Sequence, residues 1–196
     1  TFILLILVER KIRMVYVGIG FILLLIIVPV LAILPSAKQK EQMAKRQRAM
    51  AQGIGVDLTR TEDPDPDPEK YLSNTGKPLE RKISVAAYRI QRKQPDNWRR
   101  SVFPEWEIER VASQQSDDPG FGWRWVKEPQ ETTPNELTEF IRSNIPGFAN
   151  DVVRIEEKKS IISIYWNEVG EEQEAIDFLK SCAAIDVTPL DTDEGS

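Results

Sequence analysis

Chemistry at neutral pH commonly rests on histidine, and this chain contains none. The commonest general base, the commonest neutral metal ligand and the usual activator of a serine or cysteine nucleophile are therefore missing. The single cysteine, Cys182, excludes an intramolecular disulfide and a cysteine-cluster zinc site. It falls on the inner face of an amphipathic segment and reads as a buried structural thiol. Carboxylates remain plentiful, and a pair acting as acid and base is the one catalytic chemistry left open, because their separation is a property of the fold. Glu62, Asp63, Asp65 and Asp67 lie among alternating prolines that keep them from converging as a calcium loop does, and no glycine stands at the sixth position of an EF-hand pattern. No phosphate loop, dinucleotide glycine fingerprint, nucleophile elbow or zinc-deaminase signature is present. We assign no catalytic, metal or cofactor-binding residue and expect no cofactor.

Binding groups are easier to find. Trp98, Trp106, Trp123, Trp125 and Trp166 all fall in the second half of the chain or just before it. In "FGWRWV" the alternation puts Trp123 and Trp125 on one side of a strand and Arg124 on the other. A tryptophan stripe on a strand serves either as core or as a docking platform, since Trp, Tyr and Arg dominate binding hot spots. A local basic run includes Arg81, Lys82, Arg89, Arg92, Lys93, Arg99 and Arg100. It either steers an acidic partner or pairs with Glu105, Glu107 and Glu109 on a neighbouring strand. The candidate partner-binding set is Trp123, Arg124, Trp125, Arg89, Arg92 and Lys93.

These side chains need a frame, and the N-terminal part sets the first expectation for it. Met14 to Leu34 carries no charge, and its length as a helix matches the bilayer's hydrocarbon core of about 30 Å. Lys38, Lys40, Lys45, Arg46 and Arg48 follow within a run of strong helix formers that Gly53 or Gly55 can stop. The positive-inside bias then predicts an inner-membrane protein with a single span, N-terminus out and C-terminal domain cytoplasmic. The five cations become contacts to anionic headgroups, or charges that only set topology. The expected layout is an interfacial or non-native segment at 1–13, a transmembrane helix at 14–35, a basic juxtamembrane helix at 36–53, a short strand and Asp-Pro spacer at 54–70, a body at 71–187 and a disordered tail at 188–196.

The body reads as α+β, a mainly antiparallel sheet with two helices in the order β-β-β-α-β-β-α. Residues 82–93, 98–103, 105–111 and 121–126 carry strand patterns. "TPNEL" offers Thr133 as a cap, Pro134 at the first helical position and Glu136 three residues after the cap. Residues 151–166 form a hairpin turning near Glu157 to Lys159. Residues 170–185 form a helix whose Ala175, Ile176, Leu179, Cys182 and Ala183 face inward. The net positive charge falls before residue 51, so this body is acidic, which argues against nucleic acid as a partner.

The stretch "FILLLIIVPVLAILPSAKQKEQMAKRQRAM" resembles the start of YajC-type accessory subunits of the bacterial Sec translocase. "RQRAMAQGIGVDL" and "IYWNEVG" are similar to segments of uncharacterised single-pass inner-membrane proteins of proteobacteria. The resemblance implies bacterial inner-membrane placement and a membrane-protein partner. The expected function is a membrane-anchored, non-catalytic interaction or scaffold protein. The alternatives are a translocase accessory subunit and an enzyme that uses carboxylates alone.

Overall fold

The computed structural model describes residues 16–29, 34–64, 66, 68–93, 103–111, 119–120, 122–131 and 133–187. The expectations for residues 1–13, for most of the 98–103 strand including Trp98, Arg99 and Arg100, and for the tail at 188–196 lie outside these residues. The chain divides into two compact units, Thr1–Met43 and Ala44–Ser196.

The first unit contains helix α1, described over residues 16–29, and the start of α2 (Ala37–Ala51). Among the described residues no helix is long and apolar enough to cross a membrane. This overturns the transmembrane helix at 14–35, and with it the single-pass inner-membrane placement and the cytoplasmic assignment of the body. Residues 35 and 36 are not helical, and α2 starts afresh at Ala37, with the Gln39 amide nitrogen donating to Ser36 Oγ at 3.2 Å.

The second unit is an α+β layer. Gly53 takes φ 85°, a left-handed conformation that costs glycine little, and ends α2 with its N–H on Met50 O. The chain then enters a wholly antiparallel sheet. Its strands are β1 (Gly55–Glu62), β2 (Lys82–Gln91), β3 (Trp106–Arg110), β4 (Pro119–Gly120), β5 (Trp123–Lys127), β6 (Val152–Lys158) and β7 (Ile161–Trp166), in the order β1-β2-β7-β6-β3-β5-β4. The sheet thus starts at Gly55, ahead of the expected body. Of the Asp-Pro spacer, the described Pro68–Tyr71 forms one 3-10 turn, tied back by Tyr71 Oη donating to Asp63 Oδ2 at 2.5 Å.

Period-two alternation sorts the strand residues. Ala86, Tyr88, Trp106, Ile108, Trp123, Ile155, Ile162, Ile164 and Trp166 share one buried face. Against it pack Leu137 and Ile141 of α3 (Asn135–Asn144) and Ala175, Ile176, Leu179 and Cys182 of α4 (Glu172–Ala184). Pro134 occupies the N-cap of α3 and no side chain caps it; Thr133 instead closes a turn with its N–H on Gln130 O. The β6–β7 hairpin turns at Lys159 and Ser160, both at positive φ (51° and 63°), the backbone of a two-residue hairpin loop.

Candidate functional site

Three polar clusters and one sheet edge could carry a function, and each is assembled by residues far apart in sequence.

The first cluster holds residues 44–51 of α2 within the second unit. Lys45, which is buried, donates through Nζ to Glu168 O at 3.2 Å and Gly170 O at 2.8 Å. Arg46 donates to both Glu168 oxygens, from Nε at 2.8 and 3.1 Å. Arg48 pairs with Glu172 at the start of α4, and its hydrogen bond holds that carboxyl below the usual range. The Glu168 side chain is 2% exposed and also accepts from Tyr88 Oη at 3.2 Å. Burial, then the Glu168 charge, pushes the Tyr88 phenol well above its ordinary value. Glu168 takes φ 59°, so the loop is bent into a left-handed conformation to aim this carboxylate. Three of the five cations expected to meet lipid are therefore directed onto the body. Lys38 and Lys40 belong to the other unit and are exposed.

The second cluster is buried. Arg92 (2% exposed side chain) and Glu157 (0%) form a two-pronged pair, Nε to Oε1 at 2.7 Å and Nη2 to Oε2 at 2.8 Å. Arg92 Nη1 donates to Cys182 O and Ile185 O at 2.7 and 2.8 Å, so the guanidinium caps the carboxyl end of α4. Trp106 Nε1 donates to Glu157 Oε2 at 3.0 Å. Cys182 lies beside this pair, and burial pushes its thiol up to about 12. Donors and acceptors match within the pair, and burial of Cys182 disfavours the thiolate that a nucleophile needs.

The third lies on the open face of the sheet. Arg154 donates to Glu107 and Glu156 at 2.7 and 2.9 Å. Lys158 reaches the same two carboxylates at 2.8 Å each. Tyr165 Oη donates to Glu156 Oε1 at 2.7 Å. Burial works to raise the Glu156 carboxyl, but the hydrogen bonds from Lys158 and Tyr165, with the charges of Arg154 and Lys158, together outweigh it and leave it below its ordinary value. Two carboxylates do converge here, each held by both cations. Flanking pairs Arg89–Asp57, Arg124–Glu109 and Lys127–Glu105 continue the alternation of charge.

The candidate partner-binding residues do not gather into one patch. Trp123 is fully buried with the Arg110 guanidinium 4.5 Å from its ring centroid. Trp125 is half-buried, edge-on to Trp106 at 6.4 Å. Arg124 and Arg89 are spent on Glu109 and Asp57 across strands, and Arg92 is inside. Lys93 is exposed on a groove of about 530 Å³ between the ends of β2 and α4, floored by Ile90, Ala183, Ile185 and Val187, with Lys180 and Asp186 also on its lining.

The sheet edge was not singled out by sequence. β1 pairs with β2 over all eight residues without a bulge. Asp63 N–H donates to Arg81 O, extending that ladder by one pair. Antiparallel bonding alternates, so Thr61, Thr59, Asp57 and Gly55 turn their backbone groups toward β2. Val56, Leu58, Arg60 and Glu62 turn theirs outward, and among the described residues no strand pairs with that edge. The Arg92 N–H bond to Ser160 O fixes the same phase between β2 and β7. Leu58 is 69% exposed on this edge.

The chain matches no family model, no curated protein and no solved structure.

Proposed function

We propose that the second unit is a non-catalytic interaction module that binds by strand addition at β1. The observation that carries this reading is the outward row of N–H and C=O groups at Val56, Leu58 and Arg60 on a regular, proline-free edge. Proteins usually blunt such an edge with a bulge, a proline or a very short strand, because it is a template for another chain. β1 has none of these, and its charged Asp57 is already engaged by Arg89. Main-chain bonds then supply affinity, and Leu58 and Val56 give an added strand an apolar side-chain contact on the helix-bearing face.

The alternation supplies the test. A photo-crosslinking residue at position 58 of the full chain, expressed in its host cells, is expected to mark one extended segment of a bound protein. Arg60→Pro removes an outward donor while keeping the bonds to β2, and is expected to abolish that crosslink with the fold intact by circular dichroism. Crosslinks that persist unchanged in Arg60→Pro overturn the reading.

A further inference from the structure

We infer that the strand added at β1 is β1 of a second copy of this chain; the inference rests on the strand-accepting reading above and names its partner. Two antiparallel edges related by a two-fold axis normal to the sheet keep their faces, so each residue opposes one of the same parity. The outward set Val56, Leu58, Arg60 and Glu62 allows few centres. An axis through Thr61 opposes Arg60 with Glu62, but within β1 it pairs only those two residues and leaves Leu58 against Pro64, which has no N–H to donate. An axis through Arg60 sets the two guanidiniums against each other, and an axis through Thr59 leaves them diagonal neighbours; both are disfavoured by like charge. An axis through Leu58 opposes Leu58 with Leu58, Val56 with Arg60, Asp57 with Thr59 and Gly55 with Thr61, with no like charges face to face.

That register makes about six inter-strand hydrogen bonds, two from each outward-facing pair. It covers the most exposed apolar side chain of the strand, Leu58, with its own copy, and lays the Arg60 stem along Val56. Asp57 keeps Arg89 on the open face. Because the axis is normal to the sheet, α3 and α4 of both copies lie on one side of a continuous sheet, and both charge lattices lie on the other.

Cysteine crosslinking reads the register directly, since the native thiol Cys182 is fully buried. In the full chain, Leu58→Cys places two thiols on residues about 5.5 Å apart at Cα, within disulfide reach. Arg60→Cys places its own two about 14 Å apart along the strands. Under mild oxidation Leu58→Cys is expected to form a disulfide dimer at least about tenfold faster than Arg60→Cys. A mixture of Val56→Cys and Arg60→Cys is expected to give the mixed dimer rather than either homodimer. Sedimentation equilibrium is expected to show a concentration-dependent dimer for the parent chain and a monomer for Arg60→Pro. Equal crosslinking at positions 58 and 60 overturns the register, and a parent chain that stays monomeric at every concentration overturns self-pairing. If the monomeric chain still gives proline-sensitive photo-crosslinks from position 58 to another protein, only the second-copy inference falls; if those fail too, the strand-accepting reading falls with it.

Discussion

Removing Arg92 is expected to destabilise the second unit more than any other single charge substitution. The guanidinium makes both bonds to Glu157, whose side chain is fully buried, and two more to the carbonyls of Cys182 and Ile185. Arg92→Met keeps the apolar stem and deletes the charge. It strands a carboxylate whose one remaining described donor is Trp106 Nε1, and uncaps the end of α4. Breaking a buried pair from one side costs about 3–5 kcal/mol, against a total stability of about 5–15 kcal/mol for a domain. Arg92→Met/Glu157→Leu removes both charges and is expected to recover part of the loss, about 2 kcal/mol, leaving about 1–3 kcal/mol for the orphaned Trp106 N–H and the α4 carbonyls. Arg89→Met, which breaks the exposed pair with Asp57, sets the scale at about 0–1 kcal/mol. Urea unfolding followed by far-ultraviolet circular dichroism measures all four chains at constant m-value. A loss of less than about 1 kcal/mol in Arg92→Met, or a double substitution less stable than the single, would refute this assignment of the buried pair.

The Cys182 thiol, pushed up to about 12 by burial, is expected to ignore a thiol-disulfide reagent at pH 8 until the chain is unfolded in urea; stoichiometric labelling of the folded chain contradicts its placement. Glu156 and Glu172 both have lowered carboxyl pKa values, so their contribution is complete above the ordinary carboxylate range and is lost as pH falls through the depressed folded values. The melting temperature should hold from neutrality to about pH 5 and fall below about pH 4, with a shallower acid slope in Glu156→Gln. Glu168→Ala and Glu168→Gly both lose the Arg46 pair, but glycine accepts φ 59° freely, so it should be the more stable of the two by about 1 kcal/mol in the same urea titration.

Local pattern located most elements, and long-range pairing decided what they do. The residue types of 82–93, 105–111 and 121–126 alternate as strands do; β2 and β3 lie within the first two spans, and β5 starts within the third and runs one residue past it to Lys127. The apolar face of 170–185 matches the buried face of α4, with Phe178 and Glu172 added to it. The hairpin turn sits at Lys159–Ser160, slightly later than expected, because "EEKKS" lacks the Asn or Gly that marks a left-handed pair. The α3 start slipped by one residue: Pro134 is the cap itself. The transmembrane reading of 14–35 rested on hydropathy alone, and among the described residues no helix is long and apolar enough to cross a membrane. The basic collar misled for a related reason. A run of Lys and Arg looks the same whether it faces headgroups or, like Lys45, Arg46 and Arg48, faces carboxylates and carbonyls some 120 residues away. Arg92 was indistinguishable in sequence from its exposed neighbours, because its partner Glu157 is 65 positions distant. The edge status of β1 was out of reach for the same reason. "GVDLTRTE" reads as a strand, but which side of it stays open depends on strand order.

The most direct test of the central claim is residue-resolved amide hydrogen exchange of the full chain at two concentrations. In dilute solution the amides of Val56, Leu58 and Arg60 are expected to exchange as open groups while those of Asp57, Thr59 and Thr61 are protected, and at high concentration all six should be protected. Uniform protection of β1 at both concentrations, or protection of the outward set alone, would contradict the account.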